Sequence, residues 1–460
     1  MNRGSSKKES IVILGAGLVG SLMALFLVKK SYDVRVYEKR ADLRENIGGE
    51  GRSINLALSN RGWNALKEVQ VVEEVKKFAM AMKGRIMHDK QGILTFQPYG
   101  KEGEVIYSVS RERLNKVLIS AAENHGATFH FNYRCTEVDL IQNSVHFLDE
   151  FQGKNKSITA DLIIGADGAF STLRGAMQKR DRFSFSQQYI EYGYKELTIP
   201  PTDHSFALEP NALHIWPRKQ YMLIALPNPD YTFTCTLFYP FEGKDSFASL
   251  NSGEKVFQFF KENFPDVTPL MPDLINNFQK NPTSSLLTIK CFPWAVEDKA
   301  LLVGDAAHAI LPFFGQGMNS GFEDCQILNS LIEQYSGNWR SVLENFQIHR
   351  KPDTDAIAEL ALLNFIEMRD LVADPQFLLR KKIEAKLNQL FPEQWIPLYS
   401  MITFSDIPYS VAKERGVCQD LVMDKVMKTP DIDIKWENLD FHVIINNYQQ
   451  KLKAAEIDTK

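Results

Sequence analysis

GAGLVG, residues 15–20, follows an uninterrupted apolar run, Ile11-Val12-Ile13-Leu14, short enough for a buried parallel strand. After it Leu18, Leu22 and Leu25 recur at helical spacing, so the glycines sit at a strand-to-helix turn. A dinucleotide fingerprint needs that context: Gly15 for the tight turn, Gly17 for close approach of a pyrophosphate, Gly20 for packing of helix on strand. The helix N-terminus, from Leu18 onward, offers unpaired amides and a positive dipole end. A second strand, Val34–Tyr37, ends at Glu38, eighteen residues beyond Gly20, where an acid can accept from a ribose hydroxyl. The competing reading is a glycine-rich turn that merely packs.

Bulk properties narrow the class. At 460 residues the chain has room for about three domain-sized units. Its formal charge of −4 is spread out, with no basic block, which argues against nucleic acid and anionic membrane as partners. Five cysteines, at 135, 235, 291, 325 and 418, form no CxxC pair. They point to free thiols in a reducing compartment, and neither they nor the histidines show metal spacing, so no metal is expected. Residues 1–9 lack the apolar stretch of a signal peptide, and no apolar run approaches the ~18 residues of a membrane span. A cytoplasmic, globular protein is the expectation.

Texture along the chain predicts an α/β fold: a Rossmann-like nucleotide-binding domain, an inserted antiparallel β-sheet substrate domain, and a C-terminal helical domain. Residues 10–80, 105–185 and 291–345 make the discontinuous first domain, 81–104 and 186–290 the sheet domain, and 346–460 the helical one. Gly48–Arg52 reads as a flexible polar passage, and Ser53 to Leu66 as a helix with an Asn-Arg-Gly interruption at 60–62. Strands are expected within 80–110, a periodic helix from Arg111 to Glu123, and alternating aromatic-rich strands from about Tyr189 to Cys291.

Two later motifs choose the dinucleotide. DLIIGADGAFSTLR, residues 161–174, is an apolar strand that delivers Asp167. In LLVGDAAHAILPFFGQGMN, residues 301–319, a buried strand ends at Asp305, whose carboxylate can accept from polyol hydroxyls. Gly317 then opens a helix whose first amides, at Met318 and Asn319, suit the negative pyrimidine end of a reduced flavin. NAD has neither feature, so FAD is favoured. His308 reads as a packing or hydrogen-bonded residue.

Together these three motifs, in this order and spacing, resemble the single-component FAD-dependent aromatic hydroxylases, the p-hydroxybenzoate hydroxylase group. The resemblance implies tightly bound FAD, with NADPH as co-substrate lacking a domain of its own. It adds Arg40, Arg111, Ala57 and Cys135 to the cofactor neighbours. Further segments, GRSINLALSNRG (51–62), MKGRIMHD (82–89), QPYG (97–100), PNALHIWP (210–217), LIALPN (223–228), LPFFGQGMNSGFEDC (311–325) and YSMITFS (399–405), are similar to the members of that group that hydroxylate L-kynurenine. The likeness spans about residues 10–420, and it implies O2 and an aromatic amino acid as the small-molecule partners.

Arg85, mid-strand among apolar residues, would need an anionic partner if buried. Its fork suits a carboxylate, with Tyr99 as a second donor; a local acid, Asp89 or Glu104, is the equal alternative. Asn364 and Glu367, three apart on a predicted helix, project together, and only the resemblance makes them substrate contacts. It likewise implies that Tyr399 reaches the substrate and that Leu213, Leu226, Phe238, Pro312, Phe313 and Met368 form an apolar slot for the ring. No protein acid or base is expected in catalysis. Kynurenine hydroxylation is the leading reading; a hydroxylase or reductase of another aromatic ring and a non-enzymatic FAD module remain open. The sequence does not set the oligomeric state, and a homodimer is compatible with it.

Overall fold

The computed structural model describes residues 8–45, 55–371 and 374–458; the passage Gly48–Arg52 lies outside them. Ser10–Leu14 occupies the middle of a six-stranded sheet. In spatial order it runs Ala295–Val296, Ala300–Leu302, Leu162–Gly165, Ser10–Leu14, Asp33–Tyr37, Thr128–His130. All its pairings are parallel except the antiparallel edge pair Ala295–Val296 with Ala300–Leu302. Ile11, Val12, Ile13, Leu162, Ile163 and Ile164 are fully buried, as continuous apolar strands covered on both faces must be. Helix Leu18–Lys29 is buried along nearly its whole length because Arg111–Asn124 and Gly317–Gln334 pack over it.

A seven-stranded sheet stands beside it, ordered Ser284–Phe292, Ser184–Ile199, Phe233–Pro240, Met222–Pro227, Ala212–Pro217, Gly84–His88, Leu94–Pro98. Strand alternation splits its side chains between two layers. Met87, Ile215, Met222 and Phe238 pack toward helix Trp339–Ile366. Trp216, Leu223, Cys235 and Leu237 pack against helices Gly253–Asn263 and Leu274–Lys280. Beyond Trp339–Ile366, helices Pro375–Leu390, Leu398–Thr403, Tyr409–Val426 and Phe441–Asp458 close the chain, with Ile383, Leu387, Trp395 and Met423 at the centre of their own core. The result is an α/β fold with a parallel nucleotide-binding sheet, a largely antiparallel second sheet and a helical C-terminal region.

Three local expectations need correction. The expected helix over 53–66 is a strand, Asn55–Leu58, followed by helix Asn60–Glu68. The strand wins because Asn55–Leu58 pairs antiparallel with Tyr107–Ser110. Asn60-Arg61-Gly62 is then the helix's first turn rather than an interruption. The stretch from Tyr189 to Cys291 is not all strand, since it includes the two helices that cover the back of the sheet. One junction in that sheet, Gly84–Met87 with Ala212–Ile215, is parallel, joining segments far apart in sequence.

Candidate active site

The glycine turn is shaped by packing at two positions and left bare at a third. Gly15 has φ +97, a region that disfavours any side chain. A Cβ on Gly20 would lie 2.0 Å from the Gly15 carbonyl oxygen, so helix and strand touch there. Among the described residues a Cβ on Gly17 would meet nothing within 4 Å; they make no steric use of this glycine, whereas an approaching pyrophosphate does. Asn115 Nδ2 and Ser21 Oγ donate to the Ala16 carbonyl at 2.9 and 3.1 Å, which fixes the loop. Leu18 begins the helix and is buried.

Glu38 is engaged more heavily than the sequence suggests. Its carboxylate accepts from Ala16 N at 2.9 Å, and from Arg40 N and Nε at 3.0 and 2.8 Å. Burial works against its charge, but Arg40 and the two amides hold it below the usual carboxylate range. A carboxylate has about four lone-pair sites, so it can brace the glycine loop and still accept a ribose hydroxyl.

Asp167 follows the buried strand Leu162–Gly165. Its Oδ2 accepts from Thr172 N at 2.7 Å, while its buried Oδ1 has no hydrogen-bond partner among the described residues. Burial, only partly offset by Ser171 and Thr172, raises its pKa. Such an atom calls for a donor, and a cofactor hydroxyl is one. Thr172 Oγ1 reaches the Cys135 carbonyl at 3.4 Å, bringing that residue alongside; burial and then the Asp167 charge push the Cys135 thiol up to about 12. Arg174 Nη1 donates to the Ala306 carbonyl at 2.8 Å, tying this segment to the next.

Asp305, exposed, begins the short helix Asp305–His308 after Gly304 at φ +56. Beneath it, buried Asp324 accepts from Gly304 N at 2.9 Å, His308 Nε2 at 2.6 Å and Arg350 Nε at 2.8 Å. His308 therefore holds the turn. At the second helix start, Gly315 adopts φ +67 and Asn319 fastens the neighbourhood. Its Nδ2 donates to the Ala57 and Gly315 carbonyls, both at 2.8 Å, and its Oδ1 accepts from Ser59 N at 3.0 Å. Gly317 and Met318 are half-buried, and Arg111 is exposed at the first position of its helix, just past the strand that pairs with Ala57. The bare glycine, the unpartnered Asp167 oxygen and two helix N-termini fit FAD.

On the sheet side, Arg85 is packed between two phenols. Its Cζ lies 5.6 Å from the centre of the Tyr99 ring and 4.7 Å from that of Tyr399, and the two rings stack at 5.7 Å. Both local acids are occupied elsewhere: Asp89 accepts from Gln91 N and Ile93 N at 2.8 Å, and Glu104 from Lys101 N at 2.8 Å. Among the described residues Arg85 makes no ion pair, and its buried Nε has no hydrogen-bond partner. Burial disfavours its charge, but Tyr399, Tyr99 and the Glu367 carboxylate hold the guanidinium above its usual range. Burial also pushes the Tyr99 phenol upward.

Leu213, Leu226, Tyr99 and Tyr399 share one apolar cluster. Leu213 and Tyr399 also join Phe238, Phe313 and Met368 in the adjoining one. Pro312 alone of the slot residues is exposed. Asn364 is buried, and its Nδ2 donates to the Phe313 carbonyl at 2.7 Å and to Met368 Sδ at 3.4 Å. Glu367 falls in a wider π-helical turn, Glu367–Leu371, that ends the long helix, a form frequent at functional sites. Sequence reasoning missed Phe314, stacked on Tyr399 at 5.4 Å, and Phe365, stacked on Phe313 at 4.2 Å, because apolar residues carry no signal beyond core.

Comparison with known proteins gives the family. The FAD binding domain family matches residues 8–361. Kynurenine 3-monooxygenase of Christiangramia forsetii is 49% identical over 433 residues, covering 94% of this chain and 97% of that protein. The enzyme of the same name from Dictyostelium discoideum is 44% identical over 447 residues, covering 94% and 96%. Among solved structures, 2-methyl-3-hydroxypyridine-5-carboxylic acid oxygenase has a TM-score of 0.66 at 20% identity, covering 80% of this chain and 95% of that one. p-Nitrophenol 4-monooxygenase from Pseudomonas putida scores 0.65 at 18%, covering 84% and 94%; at such identity the likeness is one of fold. With that family model over most of its length and relatives of that identity and coverage, the chain belongs to the kynurenine 3-monooxygenase family of FAD-binding proteins.

Proposed function

We propose that this chain hydroxylates L-kynurenine to 3-hydroxykynurenine, consuming NADPH, a proton and O2 and releasing NADP+ and water. The observation that carries the substrate is Arg85, a guanidinium inside the fold that, among the described residues, has an unsatisfied Nε and no acid bound to it. An amino-acid carboxylate supplies what it lacks, bidentate in form, with the Tyr99 and Tyr399 hydroxyls as further donors. Glu367, whose charge reaches Arg85, suits the substrate's ammonium group. Asn364 orients the wall by holding the Phe313 carbonyl.

In this reading Gly15, Gly17, Leu18 and Gly20 hold the pyrophosphate of FAD, with Glu38, Arg40 and Arg111 at its nucleoside side. Asp167, Asp305, Ala57, Cys135 and the amides of Gly317, Met318 and Asn319 take the remainder. Bound FAD supplies the redox chemistry, accepting hydride from NADPH and activating O2. The protein's own tasks are positioning and exclusion of water. Leu213, Leu226, Phe238, Pro312, Phe313 and Met368 line a slot for the ring. Kynurenine's amine already activates the carbon beside it, so no side chain has to remove a proton from the ring substituent. The division into an FAD domain (10–80, 105–185, 291–345), a substrate sheet (81–104, 186–290) and a covering helical unit (346–460) follows the same logic.

Five free cysteines, together with the finding that no helix among the described residues is long and apolar enough to cross a membrane, favour a cytoplasmic setting. Incubation with NADPH, kynurenine and isotopically labelled O2 tests the activity. Hydroxykynurenine carrying one labelled oxygen is expected; NADPH oxidation that kynurenine does not stimulate, with no hydroxylated product, would overturn it.

A further inference from the structure

Arg61 is 2% exposed yet belongs neither to the FAD cradle nor to the amino-acid pocket. Its Nη1 donates to the carbonyls of Ile402 and Ser405 at 2.9 and 2.8 Å, and its Nη2 to that of Ile407. These carbonyls close helix Leu398–Thr403, the one that carries Tyr399, and the turn after it. A helix C-terminus leaves its last carbonyls unpaired and is favoured by a cation; here the cap comes from a distant part of the chain. The other edge of the guanidinium meets the helix that starts at the flavin-binding residues. Arg61 Nε donates to Glu323 Oε1 at 2.9 Å, and Arg350 Nη1 donates to Glu323 Oε2 at 2.7 Å, so the buried charge is compensated.

A second link runs in parallel. The Arg61 Cζ sits 4.0 Å from the centre of the Tyr409 ring, a desolvated cation–π contact. Tyr409 is fully buried, and its hydroxyl donates to Gln316 Oε1 at 2.9 Å, on the residue directly before Gly317. The Ser59 hydroxyl lies 3.4 Å from Gln316 Nε2. One cluster therefore fastens the helix of Tyr399 to the start of the helix Gly317–Gln334.

We propose that Arg61 is a positioning residue for hydroxylation: it fixes Tyr399 relative to Gly317–Asn319, so that the substrate anchor and the flavin anchor keep one separation. This rests on the functional reading given above. A misplaced substrate leaves activated oxygen to be lost as hydrogen peroxide, whereas a purely structural arginine would alter only melting.

Arg61→Lys tests it, because lysine keeps the charge but cannot serve three carbonyls and a carboxylate at once. The expected result is a KM for kynurenine raised about tenfold and a larger share of NADPH ending as peroxide, with FAD affinity on the apoprotein unchanged. Amide exchange across 398–407 should speed up while that of 10–25 stays as in the wild type. Wild-type KM and coupling in this variant, whatever its melting temperature, would overturn the proposal. If Arg61→Lys does not fold, Tyr409→Phe decides: it should raise the peroxide share, and unchanged coupling would overturn the link. A wild-type protein that fails to hydroxylate kynurenine would sink the functional reading, while the exchange comparison would still test the clamp.

Discussion

The guanidinium of Arg85 lies 4.7 Å from the centre of the Tyr399 ring, so strand Gly84–His88 of the seven-stranded sheet and helix Leu398–Thr403 meet at one charge. That meeting puts a residue of the C-terminal helices against the buried arginine. The arginine's other neighbours, Tyr99 and Glu367, come from the turn after its hairpin partner strand and from a π-helical segment far along the chain.

The glycines of the first turn should separate by role. Gly17→Ala places its methyl where no atom of the described residues lies within 4 Å, so the apoprotein should fold with a melting temperature near wild type and lose FAD affinity by tenfold or more, on the order of 1.4 kcal/mol. Gly20→Ala puts a methyl 2.0 Å from a backbone oxygen and should destabilise the fold itself, by about 1–3 kcal/mol. Thermal melts of both apoproteins, with FAD titrations, check the contrast.

Asn364→Asp should be worse than Asn364→Ala. The native amide donates to the Phe313 carbonyl; alanine merely loses that bond, whereas a buried carboxylate would face the carbonyl with no proton to give. A KM about tenfold up for alanine and higher still for aspartate is expected from the usual cost of an unmet buried group, measured by initial rates against kynurenine.

Asp324 joins Gly304 N, His308 and Arg350 in the core. Burial opposes its charge, but His308 and Arg350 hold its carboxyl below the usual range; its contribution is present above that range and lost as pH falls through the folded value. Asp324→Asn should cost about 3–5 kcal/mol, the typical result of breaking a buried charge pair, read by chemical denaturation. FAD retention should fall with it, since the same group holds the Gly304 turn.

On the far face of the sheet, His214 is buried between His88 Nε2 at 2.9 Å and the Glu209 carbonyl at 2.9 Å. Burial pushes it down to about 4. Between that value and the ordinary histidine range near 6.5 the unfolded chain binds a proton that the folded one does not, so stability rises with pH across this window and is lost as pH falls. The effect is on the order of 3 kcal/mol. Denaturation at pH 4.5 and pH 7 should show it in the wild type and lose that part in His214→Gln.

Much of this architecture can be read from the sequence, for identifiable reasons. GAGLVG sits between an apolar run and a helical repeat, so local pattern and tertiary use agree. The same holds for the strand before Asp167 and the helix at Gly317. Residues 53–66 mislead because Asn55–Leu58 becomes a strand only through its partner at 107–110, which periodicity cannot see. Arg61, inside an Asn-Arg-Gly triplet, reads as part of a helix interruption; its carbonyl partners lie some 340 residues later. The occupation of Asp89 and Glu104 in their own turns likewise becomes visible only in three dimensions.

The central claim is that Arg85 is the anchor for a substrate carboxylate, and a binding cycle addresses it most directly. Kynurenine and its decarboxylated amine would each be titrated against the wild type and Arg85→Ala, both loaded with FAD. Removing the carboxylate should weaken wild-type binding about 100-fold, in line with the ~2–5 kcal/mol of a buried charge pair, and should matter little once the arginine is gone. An equal loss in both proteins would show that the carboxylate is held elsewhere and would contradict the account.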